Sequence, residues 1–79
     1  TALTQMIGAA VAVLHSGDAT TVTLEMVVHD DSILAKLTGK GCTSPTNRLV
    51  KDLTTLAAKK ASSFETFNTS TALVISFDV

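Results

Sequence analysis

Residues 20–38 read TTVTLEMVVHDDSILAKLT, and this stretch decides the fold that the sequence predicts. Apolar and polar residues largely alternate on both sides of Asp30-Asp31, which is typical of two half-buried strands joined by a short turn. Folding residues 33–38 back across this turn places Glu25 opposite Lys36 and apolar residues opposite one another. Because a shift of one residue would move every side chain to the other face, this register is well specified. The apolar pairs are Val28 with Ile33, Met26 with Ala35, and Leu24 with Leu37.

The apolar segment that precedes this hairpin fits either a strand or a helix. As a strand, residues 7–15 fold back on residues 20–28 across Ser16-Gly17-Asp18-Ala19 and extend the same register. The agreement of two independent turns on one register favours the strand. As a helix, the segment has alanines that favour α structure and apolar residues at intervals of three and four. Those residues are Leu3, Met6, Ile7, Ala10, Val11 and Leu14.

The rest of the chain predicts one helix and one more strand. Gly39-Lys40-Gly41 ends the third strand, and Ser44-Pro45 supplies a cap and a proline suited to a helix start. An apolar stripe then continues at helical spacing. Residues 67–70 form a polar turn, and residues 72–79 alternate as a final strand in a central position of the sheet. The helical stripe comprises Leu49, Val50, Leu53, Leu56, Ala57, Ala61 and Phe64.

These elements predict a single small α+β domain over residues 1–79. The order is β-β-β-α-β, a four-stranded and largely antiparallel sheet with one amphipathic helix on one face. The alternative is α-β-β-α-β, with residues 2–15 helical and two helices over the sheet.

The composition favours a chain that is covered in part by another protein. Hydrophobic residues make up 46% of the chain and charged residues 16%, against about 25% charged in ordinary domains. A domain of this size buries only about 60% of the surface that its unfolded chain exposes. The net charge of −1 and the absence of a basic stripe argue against nucleic-acid binding. No apolar run is long enough to span a membrane.

The sheet face opposite the helix is the expected contact surface. Its small and β-branched residues are neither a clean polar face nor a core, and a free sheet edge offers a second route to association. We therefore expect a protein partner, either another copy in a homo-oligomer or a second chain. The candidate interface residues are Leu14, Thr21, Thr23, Val27, Leu34 and Thr38.

The loop before the helix is the strongest candidate for chemistry. Glycines and a lysine at a helix start could hold an anion or lower the pKa of a thiol, although the spacing is not that of a phosphate-binding P-loop. We favour an ordinary strand-to-helix connection. A lone cysteine excludes an internal disulfide and leaves an intermolecular one open. The candidate anion-binding residues are Lys40, Gly41, Cys42 and Ser44, and no catalytic residue, metal site or cofactor is predicted.

These observations predict a non-enzymatic assembly or binding subunit. One alternative is a subunit of a secreted multi-chain toxin or inhibitor processed from a precursor, and another is a small anion-binding or thiol-dependent protein that uses residues 39–44. The chain begins at Thr1 and contains 20 Thr and Ser residues. This character is typical of processed extracellular or particle-forming proteins, so we expect an extracellular or particle-associated location.

Overall fold

A computed structural model describes residues 2–42 and 45–79, in which helices and strands follow the order α-β-β-α-β-β. Within these residues, four strands form one antiparallel sheet in the order β1-β2-β4-β3, with both helices on one face. The predicted α+β class and four-stranded antiparallel sheet are confirmed. The elements are α1 (Ala2–Ser16), β1 (Thr21–Val28), β2 (Ile33–Lys40), α2 (Asn47–Lys60), β3 (Ser63–Asn68) and β4 (Ala72–Asp78).

The hairpin of β1 and β2 has the register that the sequence predicts. Glu25 lies opposite Lys36 and Leu24 opposite Leu37, and the other predicted pairs follow. The His29 N–H donates to the Ser32 carbonyl oxygen at 2.8 Å, which closes the turn at Asp30 and Asp31. Alternation of apolar residues and a two-residue turn were sufficient to define this pairing.

The first segment is helix α1, so the strand predicted for residues 7–15 is wrong and the helical alternative is right. A helix buries Val13 and Leu14 together on one stripe with Met6 and Ala10, whereas a strand would point Val13 and Leu14 to opposite faces. The residues expected to form a hairpin turn instead end the helix. Asp18 adopts a φ of 62°, its N–H donates to the His15 carbonyl, and the Ala19 N–H donates to the Leu14 carbonyl. This is a Schellman motif.

The second helix is shorter than its apolar stripe predicts, and it is followed by a strand that the sequence reading missed. Helix α2 begins at Asn47 rather than at Ser44-Pro45, and Ser44 lies outside the described residues. It ends at Lys60, and the chain turns into β3. Phe64, predicted as helical, and Phe67, predicted as the start of a turn, both lie in β3. Phe64 was included in the helical stripe because it follows Ala61 by three residues, which is a helical interval, although both residues lie beyond the end of α2.

The core lies between the two helices and the inner strands. Among the described residues, none of its buried apolar side chains comes from β1. Helix α1 packs closely on β2 at Gly39. A Cβ added to this glycine would lie only 2.7 Å from Leu14 Cδ2, so the close approach depends on the absence of a side chain there. Helix α1 also packs against α2, which reaches β3. The two helices therefore cover β2, β4 and part of β3, and they leave β1 uncovered. The largest fully buried side chains are Phe77, Met6, Leu14, Leu37, Leu53, Ile75 and Val13.

Candidate interaction surface

Strand β1 is the most exposed element of the sheet. All eight of its residues are solvent-exposed, although half of them are large and apolar on the side of the sheet that carries the helices. We call these four residues the β1 apolar row. Their exposed fractions are 41% for Val22, 42% for Leu24, 51% for Met26 and 76% for Val28.

The backbone of the same strand has a free side. Ile33 and Val79 exchange both of their backbone hydrogen bonds, so the odd-numbered residues of β2 bond to β4. Successive residues of a strand point their backbone N–H and C=O groups to opposite sides. The even-numbered residues of β2 therefore bond to the odd-numbered residues of β1. The N–H and C=O groups of the β1 apolar row therefore point away from the sheet. In the described part of the chain, no strand pairs with that side.

This edge carries few of the features that prevent sheets from associating. Edge strands are normally protected by proline, lysine, a bulge or short length. β1 has eight residues, no proline or lysine, and one charged residue, Glu25. The opposite edge strand, β3, has six residues, reads SFETFN and is more polar. The two edges of the sheet thus differ, and β1 is the edge suited to association.

The open face, which is the side of the sheet without helices, is more polar than the β1 apolar row. An open depression of about 490 Å³ lies over β2, β3 and β4, and it contains both the exposed aromatic ring of Phe67 and the charged residues Lys36 and Glu65. The remaining residues that line the depression are Thr69, Val74 and Ser76.

Five of the six predicted interface residues lie on the open face, and one does not. The register brings Thr23 beside Thr38 and Val27 beside Leu34, with Thr21 at the end of β1. Leu14 belongs to α1 and is wholly buried, so it is a core residue and cannot contact a partner. This correction follows from the helical structure of the first segment.

The predicted anion loop holds a buried thiol. Lys40 is exposed at the end of β2, and Gly41 follows with a φ of 79°. Cys42 is buried, and a Cβ added to Gly17 would overlap its sulfur, so the side chain packs against the end of α1. Burial raises the pKa of the Cys42 thiol, and the Asp18 carboxylate raises it further. This direction is opposite to the lowered pKa that the alternative of a thiol-dependent site at this loop requires, and it agrees with the ordinary connection that the sequence analysis favours.

We expect Cys42 to react slowly with iodoacetamide, with a pH midpoint above that of an ordinary thiol. Because the folded-state pKa is raised, the folded protein favours the protonated thiol. The resulting stability is complete below the pKa of the thiol in the unfolded chain, about 8.5, and is lost as the pH rises from that value through the folded-state pKa. Asp18→Asn should lower the midpoint, because it removes the carboxylate charge that raises the pKa of Cys42. The fold should be retained, because asparagine tolerates the positive φ of this position. Alkylation rates measured by mass spectrometry across pH test this. A midpoint at or below 8.5 in the folded protein would contradict it.

Other kinds of site receive no support in the described residues. No three His, Cys, Asp or Glu side chains among residues 2–42 and 45–79 are grouped so that they could hold a metal ion. The helices described are too short or too polar to cross a membrane.

The sequence predicts the β1 apolar row on the face that the helix covers, so the row was not predicted as an exposed surface. No sequence signal marks it, because the alternation of residues predicts which side chains share a face of the sheet but not how far a helix extends over that face. No protein-family model, curated protein or solved structure matches this chain, and its function is therefore inferred from the surfaces described above.

Proposed function

We propose that this protein is a non-enzymatic assembly subunit that associates with other chains through strand β1. The observation that carries the proposal is an eight-residue edge strand that is exposed on both faces and has four large apolar side chains in one row. Natural monomeric proteins protect such edges, because free backbone groups beside apolar side chains are a template for pairing with another strand.

The energies that pairing of this strand would supply are of the size that association requires. Complete burial of a large apolar side chain is worth about 1.5–3 kcal/mol, so covering one that is half exposed is worth up to about 1.5 kcal/mol. The β1 apolar row supplies several such contributions, and paired backbone groups add about 0.5–1.5 kcal/mol for each hydrogen bond. Together these are comparable with the 4–15 kcal/mol that association costs in lost freedom. The strand is therefore able to form a reversible contact.

The total surface of the molecule agrees with this proposal. Its accessible area is 4973 Å², whereas a compact monomer of 8.2 kDa exposes about 4,500 Å². The excess is in the direction expected for a chain with an edge strand that its own helices do not cover.

Hydrogen exchange of the purified protein at micromolar concentration tests the proposal at single amides. We expect the amides of Leu24 and Met26 to be protected, because only a partner can bond to the outer side of β1. Thr66 lies on the outer side of β3, so its amide is the unprotected control, and the Val27 amide, which bonds to β2, is the protected control.

The proposal fails if the amides of Leu24 and Met26 exchange as fast as that of Thr66. It is supported if they are protected at high protein concentration and lose that protection on dilution, since loss on dilution assigns the protection to contact between chains.

A further inference from the structure

We propose that the partner of β1 is a second copy of the chain, paired antiparallel to β1 about a two-fold axis that is perpendicular to the sheet and lies midway between the two Leu24 residues. This proposal rests on the proposed function and specifies its partner. The two four-stranded sheets then become one continuous sheet, with the two β1 strands at its centre. Two-fold pairs of this kind are the commonest form of homo-oligomer.

Strand geometry limits the registers that are available. Facing residues must lie on the same side of the sheet, so their numbers must both be even or both be odd, and one residue must therefore face its own copy across the two-fold axis. Two registers pair nearly the whole of β1, which spans Thr21–Val28. One is centred on Leu24 and the other on Glu25. Registers centred further along the strand leave much of it unpaired.

Charge decides between these two registers. Centring on Glu25 places the two Glu25 carboxylates directly opposite each other, and like charges in facing positions are destabilising. Centring on Leu24 places Glu25 opposite Thr23 of the second copy. Within its own chain, Glu25 keeps Lys36 on its other side. The Leu24 register therefore contains no facing pair of like charges.

Three of the four residues of the β1 apolar row are self-complementary in the Leu24 register, and the fourth, Val28, faces Thr20 just before the strand. Leu24 faces Leu24 of the second copy, and Val22 faces Met26 of the second copy, so apolar side chains cover one another on the helix side. The backbone groups of these residues point outward, and pairing them forms about six hydrogen bonds between the two chains. The register thus pairs the free backbone groups of β1 and covers the outer flank of Val22, Leu24 and Met26 at the same time.

Disulfide cross-linking of mixed variants distinguishes the registers. All proteins carry Cys42→Ala, so that the introduced cysteines are the only thiols. In the Leu24 register, residue 21 of one copy faces residue 27 of the other in a pair without hydrogen bonds, with Cα atoms about 4.5 Å apart, a separation that a disulfide can span. In the Glu25 register, residue 23 faces residue 27 instead. The three positions are exposed and lie on the open face, and Glu25 is retained throughout.

The experiment mixes Val27→Cys with Thr21→Cys, and separately Val27→Cys with Thr23→Cys, under mild oxidation by oxidised glutathione. Intact mass spectrometry identifies the mixed disulfide, because the variants differ in mass. We expect the pair with Thr21→Cys to cross-link at least tenfold more than the pair with Thr23→Cys. Circular dichroism of each variant confirms that the fold is retained.

The other outcomes overturn the proposal in different ways. Preferential cross-linking of Thr23→Cys overturns the Leu24 register. Absence of cross-linking in both mixtures, together with protected amides at Leu24 and Met26, overturns pairing with a second β1 but leaves association through this strand intact. If those amides are also unprotected, the proposed function itself fails.

Discussion

Replacing Phe77 with alanine is expected to lower the free energy of unfolding by about 3–5 kcal/mol. Phe77 lies in β4, between β2 and β3, and its side chain is fully buried in the cluster that both helices share. Truncation removes its contacts and leaves a cavity that the surrounding elements cannot fill. A domain of this length has a total stability of about 4–12 kcal/mol, so the variant should unfold at a much lower denaturant concentration than the unmodified protein.

Phe67→Ala is the matched control for Phe77→Ala. Phe67 lies in the neighbouring strand β3, but its ring is on the open face and 65% exposed. We expect its truncation to change stability by less than about 1 kcal/mol. Urea unfolding followed by circular dichroism compares the two. Similar losses in both variants would contradict the assignment of the two faces of the sheet.

Placing a charge at Leu24 is the second change with a large expected effect. In the proposed pair, residue 24 faces its own copy at the two-fold axis, so Leu24→Lys opposes two ammonium groups and Leu24→Glu opposes two carboxylates. Each variant also loses the apolar contact of both copies. We expect the pairing to weaken by about 2–3 kcal/mol, which corresponds to about a 30- to 150-fold weaker dissociation constant. Leu24 is 42% exposed and contributes nothing to the buried core, so the monomer should keep its fold.

Local sequence patterns predicted the parts of the fold that depend on neighbours in the chain. The β1–β2 register followed from alternation across Asp30-Asp31, and the final strand was predicted in the central position that β4 occupies. The first segment was misassigned because its residues satisfy both a period of two and a helical period. Packing decides between them, since only the helix buries Met6, Ala10 and Leu14 together against the sheet.

The candidate surface could be predicted only in part, because its exposure also depends on packing between elements that are distant in the chain. The sequence indicates which side chains share a face of the β1–β2 hairpin, but not how far the helices extend over that face. Leu24 and Leu37 face one another, yet Leu37 is fully buried and Leu24 is exposed. That difference arises from the position of α1 over β2, which depends on the close approach of Leu14 to Gly39.

The association of two copies through β1 is tested most directly by the mass of an equimolar mixture of Leu24→Lys and Leu24→Glu, measured by light scattering at micromolar concentration. Opposite charges then face each other at the axis, so we expect about twice the 8.2 kDa of the chain for the mixture and for the unmodified protein, and 8.2 kDa for each variant alone. A mixture that stays at 8.2 kDa while the unmodified protein is dimeric would contradict the account, as would single variants that remain dimeric.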